Sequence, residues 1–395
     1  MSNTVYDAAI VPCPDYNEAH VRAALTEALD AIGGLDWVRS GMKVGIKPNL
    51  AAAKTPEFAV CTHPVMVAEL TKMLIERGAQ VTIGESPGGI YTAAALNHSY
   101  SATGMTLAAE AGAKLNDDFS SKEGHFADAK VLKSFHYTGW LDDVDVLITF
   151  AKLKTHGMMG MTGAVKNLYG TIPGTVKLEY HYRFPNHADF SNMLVDIYEY
   201  NHPILALIDA VTAMDGNGPT AGRPRECGAL IAAHTAYDAD LVGARLIGVE
   251  PKDVPTIAAA VERGLSRDSL DKVSLYGDAD RFIIKDCELT PRHDITSVRN
   301  TRGVTRAFMK MVMASCSAIA DRPLARMASK PAAVKSECIG CGLCAKLCPA
   351  KAITMKNKLP SIDRKKCIRC FCCQEFCPKG AMKVKRTAIA RLLNK

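Results

Sequence analysis

CIGCGLCAKLCP (Cys338–Pro349) is followed by CIRCFCCQEFCP (Cys367–Pro378), and the two runs share one spacing. Each reads C-x2-C-x2-C-x3-C with a proline directly after it, the spacing that wraps [4Fe–4S] clusters in pairs. An iron–sulfur cube needs four soft thiolates. Two-residue gaps let one short loop supply three of them, and the fourth comes from the other run. Cys338, Cys341, Cys344 and Cys377 are therefore assigned to one cluster, and Cys348, Cys367, Cys370 and Cys373 to the other. Pro349 and Pro378 stop the chain from continuing as helix and turn it toward the other half. Paired C-x2-C also makes zinc sites. Zinc leaves the third and fourth cysteines and the proline, each occurring twice, without a reason.

Outward from this module, which resembles a bacterial two-cluster ferredoxin over residues 335–386, the chain is long enough for two or three domains. Residues 1–300 read as one α/β domain, 301–334 as a Met-rich apolar helix (303–320) and linker (321–334), and 387–395 as a short basic tail. A hydrophobic content of 48% and 395 residues suffice for a sizeable core. No run of about 18 apolar residues suggests a membrane span, and the N-terminus lacks a basic segment followed by an apolar one. With eight of the 14 cysteines given to clusters, Cys13, Cys61, Cys227, Cys287, Cys316 and Cys372 are left scattered, which suits a reducing cytoplasm. The net charge of +7 is uneven: residues 335–395 carry +12 and the remainder −5. A basic redox module favours an acidic electron donor or acceptor, such as a ferredoxin or flavodoxin. Nucleic acid is a poor fit, because the basic residues alternate with cluster ligands and few aromatics.

In the first 300 residues, apolar runs alternate with helical periodicity. Residues 4–13 read as a strand, and Asn17–Ala31 as an amphipathic helix with Val21, Leu25, Ala28 and Leu29 on one face, ending at Gly33 and Gly34. Met42–Ile46 reads as a strand, Thr62 as the cap of a helix running to Arg77, and Val81–Ile83 as the next strand. This βαβαβ order predicts a mostly parallel sheet with flanking helices. Strands are also expected at Val144–Phe150, Ile204–Ile208, Ala229–Ala233 and 281–286, with helices at Tyr237–Leu246 and over 251–272. Within 86–140 the pattern is weak; Ala102–Ala111 suits a helix, and Leu115–Asp118 and His125–Phe135 include strands around an irregular, His-bearing segment.

Polar residues concentrate where these strands end. The exits carry Lys47-Pro48-Asn49, Gly84-Glu85-Ser86, Lys152-Leu153-Lys154-Thr155-His156, and Asp209 with Asp215-Gly216-Asn217-Gly218. In open α/β sheets, ligands bind at the carboxyl ends of the strands. Lys47, Lys152, Lys154 and Lys166 are expected to hold a small anion, with Asn49 and Asn167 as further contacts. His156 or His63 is the candidate proton donor, and Glu85 and Asp209 would orient a lysine or hold a metal. Asp215-Gly216-Asn217-Gly218 lacks the later glutamate of a calcium loop, and no phosphate-binding glycine motif follows a strand. Neither a flavin nor a further metal has a motif of its own.

Ile46-Lys47-Pro48-Asn49-Leu50, Thr62-His63-Pro64, Gly84-Glu85-Ser86, Lys152-Leu153-Lys154-Thr155-His156, Gly163–Gly170 and Asp215–Pro219 together resemble the family called domain of unknown function 362. The resemblance spans nearly the whole chain and implies an iron–sulfur protein of anaerobic type, without a substrate. Lys166, Pro173-Gly174 and then His181 or His187 are similar in order to residues of the lactate racemase family, which implies a nickel-pincer racemase or isomerase as one alternative. The main expectation is a redox enzyme passing electrons from the ferredoxin module to an anion at the strand ends. An electron carrier or maturation factor, with the α/β domain as a docking module, is the other alternative.

Overall fold

In a computed structural model of the protein, residues 4–289 and 330–385 are described. The predicted helix 303–320 and the basic tail 387–395 lie outside them. The chain divides into two compact units, Met1–Leu289 and Thr290–Lys395.

The first unit is built around a nine-stranded sheet, with a separate two-stranded hairpin beside it in sequence. β1 (Ala8–Pro12) leads to α1 (Glu18–Ala31), which starts where the Asn17 side chain accepts from Ala19 N and buries Val21, Leu25, Ala28 and Leu29 as predicted. β2 (Lys43–Pro48), α2 (Pro64–Ile75) and β3 (Gln80–Ile83) follow. His63, rather than Thr62, caps α2, its Nδ1 accepting from Val65 N. Thr62 is already engaged: its hydroxyl accepts from Asn49 N (2.9 Å) and donates to Phe150 O (2.7 Å).

Residues 93–138 form α3 (Ala93–Thr103), α4 (Thr106–Glu110), β4 (Lys114–Leu115) and the hairpin β5 (Ser121–His125) with β6 (Ser134–Thr138). The stretch His125–Phe135 thus has strand at both ends and an irregular turn between them. There the amides of Lys130, Val131 and Leu132 bond to the Asp196 carboxylate instead of to a ladder.

β7 (Val146–His156) continues far past Phe150, and β8 (Gly160–Thr162) folds back on it, pairing Lys154 with Thr162. Lys152, Lys154 and His156 are therefore strand residues, not an exit loop. After α5 (Ala164–Asn167), α6 (Val176–Arg183) and α7 (His187–Asn201), β9 (Leu205–Asp215) is also longer than its apolar core, because β10 (Arg223–Ala233) pairs with it out to Asp215. α8 (Ala236–Leu246), α9 (Pro255–Glu262) and β11 (Leu275–Tyr276) complete the unit. Helix occupies only part of 251–272. Residues 281–286 form no strand: Ala279–Phe282 is a 3-10 turn capped by Asp278.

The sheet order is β11-β1-β10-β9-β7-β2-β3-β4. Pairs β9–β7, β7–β2, β2–β3 and β3–β4 are parallel, while β10 runs antiparallel to β1 and β9. The mostly parallel α/β fold is as expected, although β1 joins the far side of the sheet rather than β2. Side chains alternate across the sheet. Along β7, Leu147, Ala151 and Leu153 enter the core under α5, α7 and α8. Ile148 and Phe150 enter the core under α1 and α2.

In the second unit, β12 (Lys330–Ala333) pairs antiparallel with β15 (Met382–Lys385), and β13 (Ile353–Lys356) with β14 (Leu359–Ile362). Lys330–Ala333 was expected within a linker; the pairing with Met382–Lys385 makes it a strand. Two short helices, Leu343–Lys346 and Cys372–Glu375, carry the third cysteine of each run. The two halves repeat in backbone detail. Gly340 and Arg369, Gly342 and Phe371, and Lys351 and Gly380 occupy corresponding places, and all six have positive φ, from 47° to 75°.

Candidate functional site

In the second unit the cysteines of the two runs lie close to one another. Cys338, Cys341, Cys344 and Cys377 line one small cavity, with Leu343, Met355, Pro360 and Pro378 as its apolar walls. Burial and then the neighbouring Cys341, Cys377 and Cys338 push the Cys344 thiol up. In the other set, Cys373 is pushed up by burial and by Cys370, Cys367 and Cys348. Converging thiols that raise one another's pKa in the absence of a cation are what a cationic iron cube would neutralise. An amide from Ala352 points at Cys348 Sγ (3.2 Å), the hydrogen bond that tunes a cluster sulfur. The residues fit the group. Bound clusters would supply one-electron redox chemistry. Cys372 is fully buried between ligands, and burial first of all raises its pKa well above the ordinary value.

At the carboxyl ends of β2 and β7 three lysines are buried with no more than 1% of their surface exposed: Lys47, Lys152 and Lys154. Lys47 is registered opposite Thr149, whereas Lys152 and Lys154 alternate onto the Phe150 face, so they leave the sheet on opposite sides. Lys47 Nζ donates to Glu85 Oε2 (2.5 Å), Pro48 O (2.6 Å) and Asn167 Oδ1 (3.3 Å). Glu85 also accepts from Leu50 N and Ser86 N. Asn49 bridges the two sides of the sheet: its Nδ2 donates to Asn167 Oδ1 (3.2 Å), and its Oδ1 accepts from Lys154 Nζ (2.7 Å). Lys154 Nζ also donates to Val60 O (2.6 Å). Asn167 Nδ2 holds Lys47 O and Thr149 Oγ1.

A second group stands beside the first. Lys152 Nζ donates to Asp209 Oδ2 (2.9 Å) and to the Tyr16 hydroxyl (2.7 Å), and that hydroxyl donates to Asp209 Oδ1 (3.0 Å). Asp209 is fully buried and also accepts from the amides of His63 and Val211. The His63 ring stacks on Tyr16 at 3.5 Å. Burial, opposed by Asp209, pulls the His63 pKa down to about 4. His63 is thus neutral at pH 7 and is no proton donor there. Burial also draws Lys47 and Lys152 below the ordinary lysine range, against the pull of Glu85 and of Asp209. Cys61, buried nearby, interacts electrostatically with all three lysines.

The expected open cationic crevice is therefore an enclosed network in which Glu85 and Asp209 answer Lys47 and Lys152. Residues 50–61 cover it. Their ends are latched together by Asn49 N to Thr62 Oγ1 and Thr62 N to Asn49 O (3.0 Å), the form of an Ω-loop. At the loop's outer part, Lys54 Nζ reaches Thr220 O (2.9 Å).

Other predicted residues lie apart. His156 Nδ1 accepts from Met158 N and Met159 N, which puts the ring proton on Nε2 and makes it a turn cap. Asp215 is held by Arg223, Arg225 and Glu288 N. His181 stacks on Phe190 at 4.5 Å within the core. Among the described residues, no three His, Cys, Asp or Glu stand so as to hold a single metal ion. The sequence reading missed Tyr16 and Lys177. Lys177, on α6, is buried, donates to Ser86 O, and lies near Glu85, Lys47 and Lys166; burial draws its pKa down to about 7. Tyr16 follows β1, another strand exit, but it carries no charge to mark it.

Comparison with known proteins agrees with the motifs. The description "Domain of unknown function (DUF362)" matches residues 44–245. This chain belongs to the DUF362 family. A 4Fe-4S dicluster domain matches residues 330–378, so this DUF362 member is an iron–sulfur protein. A thylakoid-associated protein of Synechocystis is 30% identical to it over 269 residues, 66% of this chain and 81% of that protein. Among solved structures, it resembles a lactate racemase apoprotein from Thermoanaerobacterium thermosaccharolyticum, with 14% identity and a TM-score of 0.39 over 62% of this chain and 58% of the other. A protein from Thermotoga maritima matches with 13% identity and a TM-score of 0.35 over 55% and 56%. No described helix is long and apolar enough to cross a membrane.

Proposed function

We propose that this protein is a redox enzyme that takes electrons from an acidic carrier through its cluster module and delivers them to a small anion in the lysine network. The carrying observation is the burial of Lys47, Lys152, Lys154 and Lys177 around one end of one sheet. Lysine is almost never fully buried without a partner. Buried ion pairs add little stability over apolar side chains of the same volume. A scaffold gains little by building such a network, whereas an anion site gains charge held ready in a low dielectric. The ligand enters when residues 50–61 lift, replacing Val60 O and the Asn49 amide as acceptors for Lys154. Lys177, with a pKa of about 7, is the group suited to give a proton to the reduced product at neutral pH.

The test is anaerobic purification followed by mass spectrometry of the co-purifying anion, with Lys154→Met and Lys177→Met beside wild type. The reading expects the anion to be lost from Lys154→Met while cluster absorbance stays intact. Variants that fold and keep every reductive activity of wild type would sink it.

A further inference from the structure

The two halves of the cluster module share a backbone but not an exposure. In the Cys338 loop, Cys341 is exposed and Ile339 presents 59% of its surface to solvent. Cys370 and Phe371, in the corresponding loop, are only 9% and 7% exposed, and Ile368 is half-buried where Ile339 is not. Ile339 edges the cavity of Cys338, Cys341, Cys344 and Cys377, so its exposed part stands at the rim of that cluster site.

The surroundings of that loop are basic. Lys379 lines the cavity of Cys338, Cys341, Cys344 and Cys377, and Lys358 packs against Gly340. Lys335, Lys346, Lys358 and Lys379 are all exposed. The one acid of the loop's approach, Glu337, is already matched by Lys383 (3.1 Å). Interfaces for brief electron-transfer encounters are small, and their charges set the encounter rate more than the affinity.

We infer that the Cys338–Cys344 loop is the module's electron port: Ile339 seats on an acidic carrier protein while Lys346, Lys358 and Lys379 steer it. This rests on the proposed use of an acidic carrier and names the face that receives it. A cluster held by Cys338, Cys341, Cys344 and Cys377 would accept the one electron that the carrier gives up, with no bond made and no proton moved. The Cys367 loop is the internal partner of the pair.

The probe is a purified flavodoxin of strongly negative net charge, and the readouts are its association with the full-length holoprotein by calorimetry and stopped-flow reduction by its reduced form. Lys358→Glu with Lys379→Glu is expected to slow association on the order of 10-fold at low salt, with a weaker salt dependence. Ile339→Asp is expected to weaken binding, whereas Ile368→Asp in the other loop leaves it unchanged. Reduction by dithionite should be the same in every variant, which shows the clusters intact. If wild type shows no salt-dependent association while dithionite still reduces it, the acidic-carrier reading fails and the port with it. If association is normal but indifferent to Ile339 and the lysines, the port alone is wrong.

Discussion

Gly170 lies directly against Lys47: a Cβ placed on it would stand 2.5 Å from Lys47 Nζ and would also run into the Glu85 carboxylate. The absence of a side chain at 170 is what lets the buried ion pair close. Gly170→Ala should therefore displace the pair and cost roughly 1–3 kcal/mol by overpacking. Both tryptophans, Trp37 and Trp140, are in the α/β unit, so denaturant unfolding followed by their fluorescence reads that unit alone. An unchanged midpoint would mean that the pair has room to move.

The pair itself separates structure from function. Lys47→Met or Glu85→Leu alone leaves an unmatched buried charge, at a cost of about 3–5 kcal/mol. The double variant removes both charges and should recover most of that stability. Under the proposed function it still fails to retain the anion. A double variant that both folds and binds would reduce Lys47 and Glu85 to packing.

Lys177 gives a pH signature. Its folded-state pKa, about 7, lies below the ordinary lysine value of 10.5. Between those values the unfolded chain binds the extra proton, so stability should rise as pH goes from about 7 toward 10. Below about pH 7 both states are protonated, and the burial penalty is carried in full. Lys177→Met should flatten this rise in unfolding midpoints measured across the window. A slope identical to wild type would show that Lys177 is solvated.

Cysteine replacements test the crossed ligand sets. Cys377→Ala should empty the site in the Cys338 loop and Cys348→Ala the site in the Cys367 loop, each lowering iron per chain by roughly half, since each set holds one of the two clusters. Cys372→Ala should leave the iron content unchanged. Iron analysis with EPR of the reduced protein decides, and loss of both clusters from Cys372→Ala would contradict its reading as a bystander.

The cluster ligands were legible because their chemistry fixes their spacing locally. The core of the sheet was legible from apolar runs such as Val144–Phe150 and Ile204–Ile208. What could not be read was how far β7 and β9 run. Lys152 and Lys154 look like loop residues until β9 pairs with Lys152 and β8 with Lys154, and Asp209 and Asn49 supply acceptors far away in sequence. The same nonlocality hid Lys177 behind Ser86, and turned His156 from a proton donor into a turn cap. Alternation gave the side of the sheet for each residue, but not the pairing that closes over it.

The matched positive-φ positions of the two cysteine loops carry an implication for maturation. Glycine at 340 and 342 adopts this geometry freely, whereas Arg369 and Phe371 resist it by roughly 1–2 kcal/mol each. The Cys338 loop holds this shape at no backbone cost, whereas the Cys367 loop holds it against one. Iron is therefore expected to enter the Cys338 loop first when it is added in limiting amounts, read as EPR signal against iron per chain. Glycine at 369 and 371 would erase that hierarchy, and both loops would fill together.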